Sequence, residues 1–204
     1  MTKVLSTRIN NARRKPKLAG EKIRHKARDL FYRQGIRAVG VDEIVNAAGV
    51  TKPSLYRSFP SKDDLVAACL RDRGEDFLRR FETALSRNGT KRARGEFRKW
   101  LEALAVTATQ GSYRGCGVTN AAVEYPDRNH VARKEALAIK KTFRNRLRQL
   151  ARDMGARQPD DLADGLMLLM EGSYVTGQLF GRDGPPRVVA RAADALITSH
   201  LGKP

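Results

Sequence analysis

The sequence predicts an all-α protein, and three observations carry that prediction. Apolar residues recur at spacings of three, four and seven in one segment after another from Glu21 onward. No segment shows the two-residue alternation of a half-buried strand, and no repeat is visible. The periodic segments are separated by Gly, Pro and Ser/Thr at positions where helices stop and start. A chain of 204 residues is long enough for one good-sized domain or two small ones sharing a core.

The elements follow in order. Residues 1–17 hold six cations (Lys3, Arg8, Arg13, Arg14, Lys15, Lys17), no acid and no convincing apolar period. Residues 1–16 therefore read as a flexible basic arm, either contacting phosphate or a minor groove or simply solvated. Ile23, Ala27, Leu30 and Phe31 then share one helix face, and Gly35 ends that helix. Val41, Ile44, Val45 and Ala48 form a second, short helix with Gly40 at its N-cap and Gly49 as its breaker. Thr51 opens a third with Pro53 in the first turn, where the missing N–H costs little, and Pro60 closes it. Ser61 and Asp64 form a capping pair ahead of Leu65, Val66 and Leu70.

Downstream, Phe97, Leu101, Leu104 and Ala105 share a face, followed by a break at "QGSYRGCG". "VTNAAVEY" is a short helix stopped by Pro126, and a long helix runs from about His130 to Met154. Pro159 and Asp160 start an unusually apolar helix that ends at "GRDGPP", and residues 187–201 form the last.

Charge narrows the function. The formal net charge is +18, and residues 1–62 carry 15 Lys+Arg against 4 Asp+Glu, a net +11 in under a third of the chain. Such asymmetry favours a polyanionic partner, nucleic acid ahead of an anionic membrane surface. A generally basic proteome would account for the milder +7 of residues 63–204. Two cysteines make no disulfide framework, no apolar run approaches a membrane span, and no secretory h-region follows the N-terminus. A reducing cytoplasm is the expected compartment. His25, His130 and His200 are scattered, without partners at ligand spacing, so no metal and no cofactor is expected. Neither a nucleophile elbow nor a phosphate loop nor a dinucleotide turn is present, which argues against an enzyme.

The stretch "VDEIVNAAGVTKPSLYRSFPSKDDL" is the most informative. On a helical wheel Leu55 and Phe59 lie 40° apart and anchor the third helix to a core at 100° per residue. Pro53 and Arg57 face the other way, flanked by Ser54 and Tyr56, with Lys52 at the tip. Cations, a small hydroxyl and a phenol within two turns suit base edges and phosphates of a major groove. Helix, tight turn and helix make a helix-turn-helix unit, about residues 40–59, whose second helix reads. The next helix start, with Lys62 pointing outward and Asp63 and Asp64 facing away, suits a further phosphate. A surface helix pair with solvated charges is the plainer alternative.

Residues 17–77 closely resemble the DNA-binding domain of the tetracycline-repressor (TetR) family, through Phe31, Gly35, Val41, Ile44, Ala48-Gly49-Val50-Thr51, Leu55-Tyr56, Phe59 and Ser61-Lys62. The resemblance implies a homodimeric bacterial transcription regulator, usually a repressor. It implies DNA-facing positions at Thr51, Lys52, Pro53, Ser54, Tyr56 and Arg57, and a phosphate contact at Lys62. Two positions depart from the family's pattern: Ile36 stands where an aromatic is usual, and Val39-Gly40 where a Thr/Ser pair is usual.

Residues 78–204 read as a helical ligand-binding and dimerisation domain, again by resemblance. Leu166, Leu168, Leu169, Met170, Tyr174, Val175, Leu179 and Phe180 cover more than one helix face, so this helix should be buried on two sides, either with one against a second subunit or simply as a central core helix. Gly172 and Gly177 would permit close approach, and the last helix would complete a four-helix dimer interface. Candidate effector-binding residues are Trp100, Leu104, Cys116, Asn120, Glu124, Phe143, Met167, Met170, Glu171 and Tyr174, with Tyr125 beside them. Glu124 and Glu171, acids on apolar faces, need partners. Cys116, between two glycines and near Arg114, is either a reactive sensor thiol or a small loop residue. The partners expected are a double-stranded DNA operator of roughly palindromic sequence, an unidentified small molecule and a second copy of the chain, with no membrane. A non-specific architectural DNA-binding protein is the competing reading.

Overall fold

The computed structural model describes residues 2–86 and 93–201, with side chains for 18–85 and 93–201. Among the described residues all regular structure is helical. The chain divides into two compact units, one of residues 1–73 and 121–136, the other of residues 74–120 and 137–204. The expected bounds 17–77 and 78–204 differ from these units at residues 74–77, which fall in the second, and at residues 121–136, which fall in the first. Polar side chains explain this: Glu135 pairs with Arg71, and His130 Nε2 lies 3.3 Å from Asp63.

The N-terminal unit begins with α1 (Thr2–Gln34), α2 (Val41–Ala48) and α3 (Lys52–Ser58) and includes the first half of α4 (Lys62–Ser86). Helix α1 covers the stretch expected to be an arm, and the arm's proposed cationic contacts lie outside the described side chains. The core of this unit buries Ile23, Ala27, Ile44, Leu55, Leu65 and Val66 fully, as the apolar period marks out, and Val39 with them, while Leu30 and Val41 are half-buried. Ile36, which departs from the family's pattern, is 4% exposed and serves as core. Burying each Leu or Ile side chain contributes about 1.5–3 kcal/mol, enough to hold a two-turn helix such as α3 that could not persist alone. Gly35, at φ +93, turns the chain from α1 toward α2.

The C-terminal unit contains the rest of α4, then α5 (Ala93–Ala108), the start of α6 (Gly117–Glu124), most of α7 (Val131–Asp153), α8 (Pro159–Phe180) and α9 (Val189–His200). Two 3₁₀ turns, Gly181–Asp183 and Pro185–Val188, replace the "GRDGPP" break. An aromatic cluster forms the centre: Phe77 meets Phe143 edge to face at 4.8 Å, and Phe81 meets Trp100 at 5.1 Å. Helix α8 buries Leu162, Ala163, Leu166, Met170, Ser173 and Gly177 but exposes Leu168, Val175, Leu179 and Phe180. Gly177 does allow close approach, since a Cβ there would lie 2.7 Å from Ala108 Cβ on α5. Gly172 lies on the exposed face, and within the single chain nothing comes within 4 Å of its Cβ position.

Candidate nucleic-acid interface and effector site

The turn between α2 and α3 is fixed by backbone geometry. Gly49 adopts φ 63, ψ 41; its N–H donates to Asn46 O and the Val50 N–H to Val45 O. This pair of bonds is the Schellman ending of a helix, in which a left-handed glycine costs no steric strain. Thr51 is then extended, and its carbonyl accepts the N–H groups of Ser54 (2.9 Å) and Leu55 (3.1 Å). Its hydroxyl makes no bond to the helix backbone and instead lies 3.1 Å from Ser54 Oγ. Arg57 Nη2 donates to the same Ser54 Oγ at 3.1 Å. Thr51, Ser54 and Arg57, three residues apart, thus form a polar row along α3.

Leu55 is fully buried beneath this row, while Thr51, Lys52, Pro53, Tyr56 and Arg57 are exposed and Ser54 is half-buried. Phe59, expected as a second anchor, is half-buried, because the chain leaves the helix there. Lys52 Nζ reaches back to Asp42 Oδ1 on α2 at 2.7 Å, and that hydrogen bond raises the Lys52 pKa above the ordinary lysine value. Lys52 stays a full cation on a surface half open to solvent.

Lys62 departs from expectation. It is half-buried rather than projecting freely; burial lowers its pKa, and the charges of Asp63 and Glu124 oppose that shift. The helix start around it follows the capping pattern: the Asp64 N–H donates to Ser61 Oγ at 3.1 Å, and the Ser61 hydroxyl donates to Asp64 Oδ2 at 2.7 Å. Asp63 engages His130, so both acids at the helix start have partners. The His130 Nδ1 accepts the Ala132 N–H at 3.2 Å, leaving Nε2 to donate toward Asp63, and the ring stacks on Tyr125 at 3.9 Å.

Glu124 is the candidate whose surroundings sequence reasoning missed. Assigned there to an effector site, it instead belongs to the N-terminal unit, where Oε2 accepts the Arg37 N–H at 2.9 Å. Oε1 lies 3.3 Å from where a Gly35 Cβ would be. The carboxylate thus clamps the α1–α2 connection, with the Arg37 side chain exposed. Partners 87 residues apart carry no local signal in the sequence. Tyr125 lies in the same unit.

The other effector candidates divide into two groups. Trp100, Leu104, Phe143, Met167 and Met170 belong to the packed core or border it, with Phe143 3% and Met170 1% exposed. Cys116, Glu171 and Tyr174 come together around Lys140 of α7, a residue outside the candidate set. Its ammonium pairs with Glu171 Oε1, donates to Cys116 Sγ at 3.4 Å and lies 5.6 Å from the Tyr174 ring centroid. Thr119 donates to the other Glu171 oxygen at 2.7 Å. Burial pushes the Tyr174 phenol well above its ordinary pKa, with Cys116 and Glu171 adding to the shift. Asn120 is turned to the Arg114 carbonyl at 2.7 Å. Among the described residues no group of His, Cys, Asp and Glu could hold a metal ion.

Two family models match the chain in succession. Residues 23–69 match the family described as bacterial regulatory proteins, tetR family, and residues 89–193 match the tetracyclin repressor-like C-terminal domain. The chain is 30% identical over 190 residues to the HTH-type transcriptional repressor KstR2 of Rhodococcus jostii, covering 87% of this chain and 88% of that one. It is 37% identical over 68 residues to the HTH-type transcriptional activator FasR of Mycolicibacterium smegmatis, covering 33% and 31%. The solved structure of a TetR-family transcriptional regulator from Streptomyces coelicolor superposes with a TM-score of 0.80 at 26% identity, covering 91% of this chain and 97% of that one.

Proposed function

The chain belongs to the TetR family of bacterial transcriptional regulators, and from that premise we propose that it is a repressor: a homodimer that binds a palindromic operator and is released by a small-molecule effector. Family members bind DNA and are not enzymes. The observation that carries the reading is the exposed Thr51–Arg57 row on a helix whose underside, Leu55, is fully buried. A rigid rod with cations and hydroxyls on its free face is what a major groove accepts. Thr51, Lys52, Pro53, Ser54, Tyr56 and Arg57 are the proposed DNA-facing set. The half-buried Lys62 is a proposed phosphate contact, one that would need its ammonium swung outward.

Dimerisation is supported by α8. Leu168, Val175, Leu179 and Phe180 are 74%, 53%, 70% and 63% exposed, an apolar strip that a single chain leaves in water. A second copy packing there, with α9 alongside, would form a four-helix interface of two-fold symmetry. Symmetry in the protein then requires near-palindromy in the operator.

Repression is the simpler sign, because a bound dimer excludes polymerase without any further contact surface. KstR2, named a repressor, matches most of this chain, whereas the activator FasR matches only a third of it. The effector site proposed is the group around Lys140: Cys116, Glu171 and Tyr174, with Asn120 at its edge. The aromatic core residues line packed structure and have no role in this reading. The protein would act in the bacterial cytoplasm, at the nucleoid.

The net charge of +18 keeps a second reading in view, a non-specific architectural DNA-binding protein. Selection from random duplexes followed by competition separates the two. A regulator retains one duplex family against excess random DNA at moderate salt; an architectural protein loses all of them together.

A further inference from the structure

We propose that Cys116 is a covalent modification site for small α,β-unsaturated carbonyl compounds, with Lys140 assisting the addition, and that the adduct weakens operator binding. The regulatory half rests on the effector-released repressor reading above; the chemical half stands on geometry alone.

The two cysteines are in opposite surroundings. Cys69 is 5% exposed, its thiol donates to the Arg24 carbonyl at 3.6 Å, and burial pushes its pKa up to about 12. Such a thiol is inert. Cys116 is partly open to solvent and accepts a hydrogen bond from the Lys140 ammonium at 3.4 Å. The ammonium is not free to wander: Glu171 holds it, Thr119 fixes Glu171, and the Tyr174 ring lies alongside. The loop that carries Cys116 is held as closely. Gly115, at φ +70, has room for no side chain, since a Cβ would lie 2.9 Å from Gln178 Oε1 and 3.3 Å from the Tyr174 carbonyl oxygen. The Cys116 carbonyl accepts the Asn120 N–H at 2.9 Å and so begins α6.

The nucleophile is the thiolate, and the Lys140 ammonium stands 3.4 Å from the sulfur. The same cation selects the electrophile. When sulfur bonds to the β-carbon of an α,β-unsaturated carbonyl, the carbonyl oxygen sits three bonds farther on and takes up negative charge. A lysine ammonium within reach of both atoms can serve sulfur first and the enolate oxygen afterwards. The balance is simple. The thiol proton leaves to solvent, the sulfur pair forms the C–S bond, the C=C pair moves to give the enolate, and the α-carbon takes a proton from water. No oxidant and no leaving group is involved. The adduct displaces Lys140 from sulfur and places bulk at the first turn of α6.

Native protein treated with methyl vinyl ketone, and separately with N-ethylmaleimide, followed by peptide mass spectrometry, tests this. One equivalent adds at Cys116 while Cys69 reacts only after denaturation. Lys140→Met, which removes the donor to the enolate oxygen, should slow the reaction by roughly tenfold. Lys140→Arg, which keeps a cation, should restore most of the rate and shows that lost folding is not the cause. Labelling of Cys116 at the rate of free glutathione, or at one rate in all three proteins, would overturn the chemical proposal. An adduct that leaves operator affinity unchanged would overturn the regulatory one. If unlabelled protein selects no duplex at all, the operator-binding reading fails instead, and the labelling rates still decide the chemistry.

Discussion

At the residue scale, the hydroxyl of Ser54 is shared between Thr51 on one side and Arg57 on the other, at 3.1 Å each. The bonds are weak and exposed, so the guanidinium is steered along α3 without being committed. Arg57 can exchange Ser54 for a guanine edge at small cost, because one neutral hydrogen bond is traded for a bidentate one. Lys52 differs, since its partner Asp42 is charged. Asp42→Asn should release Lys52 and remove one negative charge beside the proposed DNA-facing set. Binding should tighten by about two- to fivefold on every duplex at low salt, with a steeper salt dependence, as read by fluorescence anisotropy. Unchanged affinity would place Lys52 off the DNA.

Cys69 gives a pH prediction at the same scale. Its folded pKa of about 12 exceeds the ordinary 9.0, so the folded state prefers the protonated thiol. Its contribution is fully present below pH 9 and is lost as pH rises from there toward 12. Between pH 7 and 10.5, Cys69→Ala should lose less stability than the native chain, by on the order of 2 kcal/mol in urea titrations. Parallel pH profiles for the two proteins would contradict the burial argument.

At the element scale, the clamp by Glu124 is the most specific finding. It satisfies the Arg37 N–H at the α1–α2 connection and so sets how α2, and α3 behind it, stand on α1. Glu124→Ala should weaken operator binding about tenfold, while Glu124→Gln, which keeps an acceptor oxygen, should restore it. Equal losses in both would mean the charge matters and the clamp does not. The sequence made α2, α3, the left-handed Gly49 and the Ser61–Asp64 cap legible, because each follows from contacts within five residues. Leu55 was legible as an anchor for the same reason. Lys62, Glu124 and Lys140 were not: their settings depend on partners tens of residues away, which periodicity cannot encode. The second apolar face of α8 was readable in Leu168, Val175 and Leu179, but the fit of Gly177 against Ala108 needed to be seen.

At the scale of the whole molecule, the proposed dimer rests on the exposed apolar face of α8. Placing Glu at Leu168 and Leu179 together should convert a dimer to a monomer in sedimentation equilibrium with helicity intact, since two charges cannot be buried unpaired at an interface. Operator binding should fall with it, because two half-sites are then engaged one at a time. The most direct test of the central claim is a titration of the selected operator and a random duplex with native protein and Arg57→Ala. The account predicts a loss of ~1–3 kcal/mol on the operator and a much smaller one on the random duplex. Operator affinity unchanged by the substitution, in a protein that still folds and dimerises, would contradict it.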